Sequence, residues 1–124
     1  MKSTSTCCIV FVTVPTRVVA RRIARTVLAN RAAACVNVVP QLESHYWWQG
    51  KIEKSNELLL IFKTLRKRLA ELERWVRSEH PYDTPEFVVL PITAGSEKYL
   101  NWIRDSVRPV DSQGDKPGES TPSR

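Results

Sequence analysis

Glycine is scarce: there are four in 124 residues, and none stands in a G-x-G-x-x-G or G-x-x-x-x-G-K arrangement. A loop that cradles phosphate on successive backbone amides is thereby excluded. Cysteine is scarce too. Three is an odd number, Cys7 and Cys8 are adjacent, and no C-x-x-C spacing occurs. Neither a disulfide framework nor a thiolate zinc site is expected, and the usage fits a reducing compartment, with the cytoplasm as the expected location. Long apolar runs are missing as well: none approaches the roughly 18 residues of a membrane-crossing helix. The N-terminal run, Cys7 to Val12, is followed by no small-residue cleavage site, which argues against a secretory signal. There is no G-x-S-x-G, and no nucleophile–base pair can be named, so an enzyme is not expected.

What is present suits one soluble globular domain, with 42% hydrophobic and 26% charged residues. The net charge is +6. Residues 109–124, "PVDSQGDKPGESTPSR", hold three acids and two bases, with one Val and no Leu, Ile or aromatic residue. Such a segment cannot offset its own ordering entropy, so the sequence predicts a folded domain over 1–108 and a disordered tail over 109–124. Part of the basic excess is local, since Arg17, Arg21, Arg22, Arg25 and Arg31 have no acid among them. No nucleic-acid-binding module accompanies them, and a solvated helix face is the expected reading.

The pattern along the chain reads as strand, helix, strand, strand, helix, strand, helix. "TCCIVFVTV" is a buried strand over 6–14, closed by Pro15. Val19, Ile23 and Val27, flanked by Ala20, Ala24 and Leu28, form one helical stripe, with Thr16 as N-cap and Asn30 as stop. "AACVNVV" over 33–39 is a second strand broken at Pro40. "HYWWQGKI" and "ELLLIFKTL" form a hairpin around the polar turn "EKSN" at 53–56. The second arm is apolar at successive positions, so both of its faces are expected to be covered. Leu65, Leu69, Leu72 and Val76 mark a helix over 66–79. A strand follows over 85–91, and a last helix carries Ser96 as cap. Two βα units around a hairpin are the α+β, ferredoxin-like βαββαβ arrangement with an extra C-terminal helix. Its helices cover one sheet face, so a second apolar face predicts an oligomer.

Few residues offer chemistry. His45, His80, Cys7, Cys8 and Cys35 are the soft or borderline metal ligands, and no two of them have ligand spacing. Cys35 lies in a strand-like run, where free cysteine packs as a small hydrophobe. His80 ends a helix before Pro81, where it can act as a helix stop or as a ligand. The "YWW" at 46–48 reads as hairpin packing ahead of ligand stacking.

The stretches "AAACVNVVP", "ESHYWWQGKIEKSNELLLIFKT" and "HPYDTPEFVVLPITAGSEKYLNWI" closely resemble the CutA family, associated with divalent-cation tolerance. The resemblance runs from about Val10 to Val107 and implies a ferredoxin-like subunit in a PII-like homotrimer. It also implies weak copper(II) binding at His80, with Glu86 or Tyr82 nearby; Cys35 matches the family's A-C-V-N cysteine and is the remaining candidate ligand. The chain departs from the family pattern at three positions. Val12 stands where some members have a cysteine ligand, Gln41 where glycine commonly follows the proline, and Gln49 where glutamate commonly follows Y-W-W. The expected function is therefore a trimeric divalent-cation tolerance protein responding to metal ions. The alternative is a PII-like signalling or scaffold trimer that takes a small anion or a partner protein in its inter-subunit clefts, with Lys51, Lys63 and Arg68 supplying attraction. Neither nucleic acid nor a membrane is an expected partner.

Overall fold

The computed structural model describes residues 2–3 and 6–108. The domain expected over 1–108 therefore falls largely within the described residues, whereas the tail over 109–124 lies outside them. In chain order the elements are β1 (Lys2–Ser3), β2 (Cys7–Val14), α1 (Arg17–Ala29), β3 (Cys35–Trp48), β4 (Lys51–Leu65) and a 3₁₀ turn (Arg66–Arg68). Then come α2 (Leu69–Glu79), β5 (Val88–Pro91), β6 (Ala94–Gly95) and α3 (Glu97–Ser106). The main sheet is antiparallel in the order β3-β4-β2-β5, and β1 pairs with β6. That order, with α1 and α2 as crossovers, is the ferredoxin-like topology that the sequence predicts.

Helix and strand patterning meet in one core. Val10, Val12 and Val14 of β2 lie opposite Phe62, Leu60 and Leu58 of β4. With Ala20, Ile23 and Val27 of α1 and Leu72 and Val76 of α2 they form the main cluster. The helix ends follow local chemistry. Thr16 Oγ1 accepts from the Val19 N–H at 3.2 Å, and Ser96 Oγ from the Tyr99 N–H at 3.2 Å. Beyond α1, Arg31 N–H reaches Leu28 O and Ala32 N–H reaches Val27 O, with Arg31 in left-handed backbone at φ 53. This is the paired closure that satisfies a helix's last carbonyls. α2 stops at His80, whose ψ of 132 is the extended conformation required before Pro81.

Among the boundaries that differ from the sequence reading, three bear on the site. The hairpin turns at Gln49–Gly50, not at 53–56: Trp48 pairs with Lys51, and φ is 50 at Gln49 and 78 at Gly50. Positive φ at both central residues is the two-residue turn that matches strand twist, and "EKSN" runs inside β4. Pro40 does not break β3. The strand continues through a bulge between Val39 and Leu42, where Pro40, which has no N–H to donate, and Gln41 (φ 63) together oppose Leu58. Finally, β5 begins at Val88 rather than 85, and Phe87 packs into the helix-side core.

The second sheet face, with Thr13, Asn37 and Lys63 as its polar members, is mostly apolar in three cross-strand rows. These are Val39–Leu59–Thr13, Asn37–Ile61–Phe11–Val88 and Cys35–Lys63–Ile9–Leu90. The next row is covered by the extra helix: Cys7 and Leu65 pack with Leu100, Ile103 and Val107. The three open rows are only half-buried or exposed. Past Leu58 the hairpin also leaves the sheet, so residues 42–57 of β3 and β4 pair only with each other. That arm carries exposed Trp47 (72%) and Ile52 (68%) directly opposite one another.

Candidate functional site

The 80–87 segment carries the chain from the helix layer round the end of the sheet to β5, and His80 anchors it. The ring is buried, and both of its nitrogens are engaged. Tyr82 N–H donates to Nδ1 at 3.1 Å, which makes Nε2 the protonated nitrogen, and Nε2 donates to Thr13 O at 2.7 Å. The sheet explains why Thr13 needs that donor. On the same edge Cys7 O accepts from Ile92 N–H, and the carbonyls of alternate residues share its direction. The β2–β5 ladder ends at the Phe11–Val88 pair, so His80 takes over where β5 stops.

Tyr82 extends the anchor. Its ring lies 4.7 Å from that of His80, and its hydroxyl donates to Glu57 Oε2 at 3.0 Å. Glu57 is a buried carboxylate at the base of the hairpin arm. Burial, this hydrogen bond and the Glu57 charge push the Tyr82 phenol up to about 12, so it stays a donor. Glu86 closes the group: burial first and the Glu57 charge second raise its carboxyl above the ordinary glutamate value. Tyr82 thus ties the 80–87 segment to the buried acid Glu57, and Glu86 lies within reach of that acid's charge.

Glu57 also lines a cleft of about 460 Å³, with Pro15, Arg17, Gln41, Glu43 and Asn56. Its lining includes Arg17, the first residue of α1, together with the acids Glu43 and Glu57.

Of the three candidate ligands, His80 and Glu86 both lie in the 80–87 segment, His80 bonded to Thr13 and Tyr82 and Glu86 within reach of the Glu57 charge. Cys35 does not join them. It pairs with Lys63, which pairs with Ile9, and Ile9 lies four residues, about 13 Å, along β2 from Thr13. Among the described residues no three His, Cys, Asp or Glu side chains are grouped as for a metal. A Cys–His copper set therefore does not fit this chain: the thiol is elsewhere, and the imidazole has no free lone pair in this conformation. Val12 does not substitute, being fully buried in the helix-side core. His45 bonds Glu43 Oε2 at 2.8 Å on the exposed arm. Nor do the proposed anion-attracting residues converge: Arg68 binds Glu71 at 2.6 Å, Lys63 binds Asn37, and Lys51 stands at the hairpin tip.

Sequence reasoning missed Glu57 and Arg17 as site residues. Glu57 stands just past the expected turn at 53–56, and its partner is 25 residues away. Arg17 reads as one of four arginines on a solvated helix face.

The family model for the CutA1 divalent ion tolerance protein matches residues 8–106. The rice (Oryza sativa subsp. japonica) Protein CutA 1, chloroplastic, is 45% identical over 111 residues, 87% of this chain and 63% of that protein. The divalent-cation tolerance protein CutA of Thermus thermophilus is 46% identical over 98 residues, 79% of this chain and 95% of that protein. Among solved structures, the divalent cation tolerance protein (Cut A1) from Thermus thermophilus gives a TM-score of 0.79 at 45% identity, over 81% of this chain and 97% of that one. CutA1 from Oryza sativa gives 0.81 at 43% identity, over 86% and 98%. This chain spans 63% of the length of the rice relative and 55% of that of the Arabidopsis thaliana relative. Fold, motifs and identity agree, and the chain belongs to the CutA1 divalent ion tolerance protein family.

Proposed function

We propose that this protein is a homotrimeric divalent-cation tolerance protein whose response to metal ions runs through the corner formed by Glu57, Tyr82, Glu86 and His80. The carrying observation is the buried Glu57 carboxylate, bonded by the Tyr82 hydroxyl at 3.0 Å, whose charge adds to partial burial in raising the Glu86 carboxyl. Copper(II) belongs to this reading as a weak ligand held by carboxylate oxygen. Drawing in the imidazole requires giving up Tyr82 N–H or Thr13 O, a loss of about 1 kcal/mol or more, which accounts for weakness. No enzymatic step is part of the reading. The cytoplasm is its proposed location, supported by three free cysteines; no helix among the described residues is long and apolar enough to cross a membrane.

Trimer formation is supported by two uncovered apolar surfaces of different shape, the open sheet rows and the projecting arm. A copy-to-copy contact that joins unlike patches closes into a ring when its rotation allows. A second reading, a small anion in the cleft as in a PII-like signalling trimer, is favoured by Arg17 and the start of α1 beside it.

Calorimetric titration with copper(II) of wild type, Glu86→Gln and His80→Ala tests the proposal. Glu86→Gln is expected to weaken binding about 10-fold, as loss of a charged contact does. Equal heats in wild type and Glu86→Gln sink the metal reading. Anion binding lost in Arg17→Ala and falling steeply with salt would support the second.

A further inference from the structure

One charge interrupts the open sheet face. Lys63 sits in the row Cys35–Lys63–Ile9–Leu90, with Ile61, Phe11, Leu59, Val39 and Val88 in the rows beyond it. It is half-buried, and its ammonium donates to Asn37 Oδ1, the diagonal neighbour across the β3–β4 ladder. No carboxylate of the described residues comes within ion-pair distance of it. The ammonium has three N–H donors and Asn37 takes one; in the isolated chain the others face water.

The next step rests on the reading that copies of this chain cover the face. Covering it removes the water. A lysine buried with unpaired donors is the expensive case, whereas a lysine met by an acceptor is not. The apolar rows alone choose poorly between alignments, because a slip of two residues along a strand exchanges one apolar row for another. A single charge breaks that degeneracy, as a lone polar residue fixes register in an otherwise apolar helical seam. We propose that Lys63, held in place by Asn37, is the specificity-determining residue of self-association, and that the covering copy brings an acceptor oxygen to its ammonium. One alignment then satisfies the charge and the others strand it.

The test is the dissociation constant of the full chain, measured by light scattering and sedimentation over a dilution series, for wild type, Lys63→Met and Asn37→Leu. Methionine keeps the length and the apolar stem and leaves the neighbour's acceptor unpaired. Self-association is expected to weaken by about 100-fold in Lys63→Met and in the same direction in Asn37→Leu, which frees the ammonium. Unchanged circular dichroism of each variant shows that the subunit itself is intact. A self-associating wild type with an equally tight or tighter Lys63→Met of one mass overturns this inference alone. A wild type that stays monomeric throughout overturns the trimer reading, and this inference with it.

Discussion

Replacing His80 by alanine in metal-free buffer separates an anchor from a ligand. If His80 exists only to hold an ion, its loss without metal costs nothing. The geometry says otherwise. Alanine leaves Thr13 O without the donor that stands in for β5, and Tyr82 N–H without its acceptor. Stranding each such group costs about 1–3 kcal/mol where it is buried. The ring contact with Tyr82 adds about 0.5–1.5 kcal/mol. Because Tyr82 is partly exposed, the lower half of each range applies, for a total of about 3 kcal/mol. In a domain of this size that lowers Tm by about 15 °C. The assay is urea and thermal unfolding with chelator present, at one chain concentration because self-association raises apparent stability. Amide exchange at Tyr82 should accelerate together with the loss. A change under about 0.5 kcal/mol, the range of an inert surface substitution, refutes the anchor argument.

Gln41→Gly is expected to stabilise the chain. Gln41 holds φ 63 at the β3 bulge, where a side chain costs about 1–2 kcal/mol and glycine's extra chain entropy about 0.5–1, leaving a gain of about 0.5–1 kcal/mol in the urea midpoint; a loss would mean that the Gln41 side chain contributes binding within the cleft. Glu86→Gln should alter the pH dependence of stability with a definite sign. The folded state holds the Glu86 proton above the ordinary value of 4.5, so it binds more protons than the unfolded chain between that value and the raised one. Wild-type stability therefore falls, relative to the glutamine variant, as pH rises through that window. Thermal melts should show the variant ahead at pH 7 and level with wild type below pH 4, and a constant difference at all pH values would mean that folding does not raise the Glu86 carboxyl.

Local chemistry was legible where the partner lies within one turn. Thr16 and Ser96 cap residues three positions on, and the end of α2 is dictated by Pro81 acting on its immediate neighbour. The same short range explains the misplaced hairpin. A polar cluster such as 53–56 is a common turn signal, whereas the true turn requires Gln49 to adopt positive φ, which glutamine does not advertise. Pro40 misled for a related reason: proline ends a central strand, but β3 is an edge strand of the sheet in its own chain and has a bulge to place it in. The candidate site resisted the sequence more deeply. His80 stands out beside its proline, yet its ring bonds Thr13, 67 positions away, where β5 begins one ladder step too late to serve that carbonyl. Glu57 becomes a site residue only once the 80–87 segment lays Tyr82 over it. The doubly apolar run of β4 was readable as a demand for a second covering layer. That layer is supplied in part by α3 over Cys7 and Leu65, and what remains uncovered is the surface on which Lys63 sits. A sequence can announce that a face needs covering; the single charge on it says which way the cover must lie.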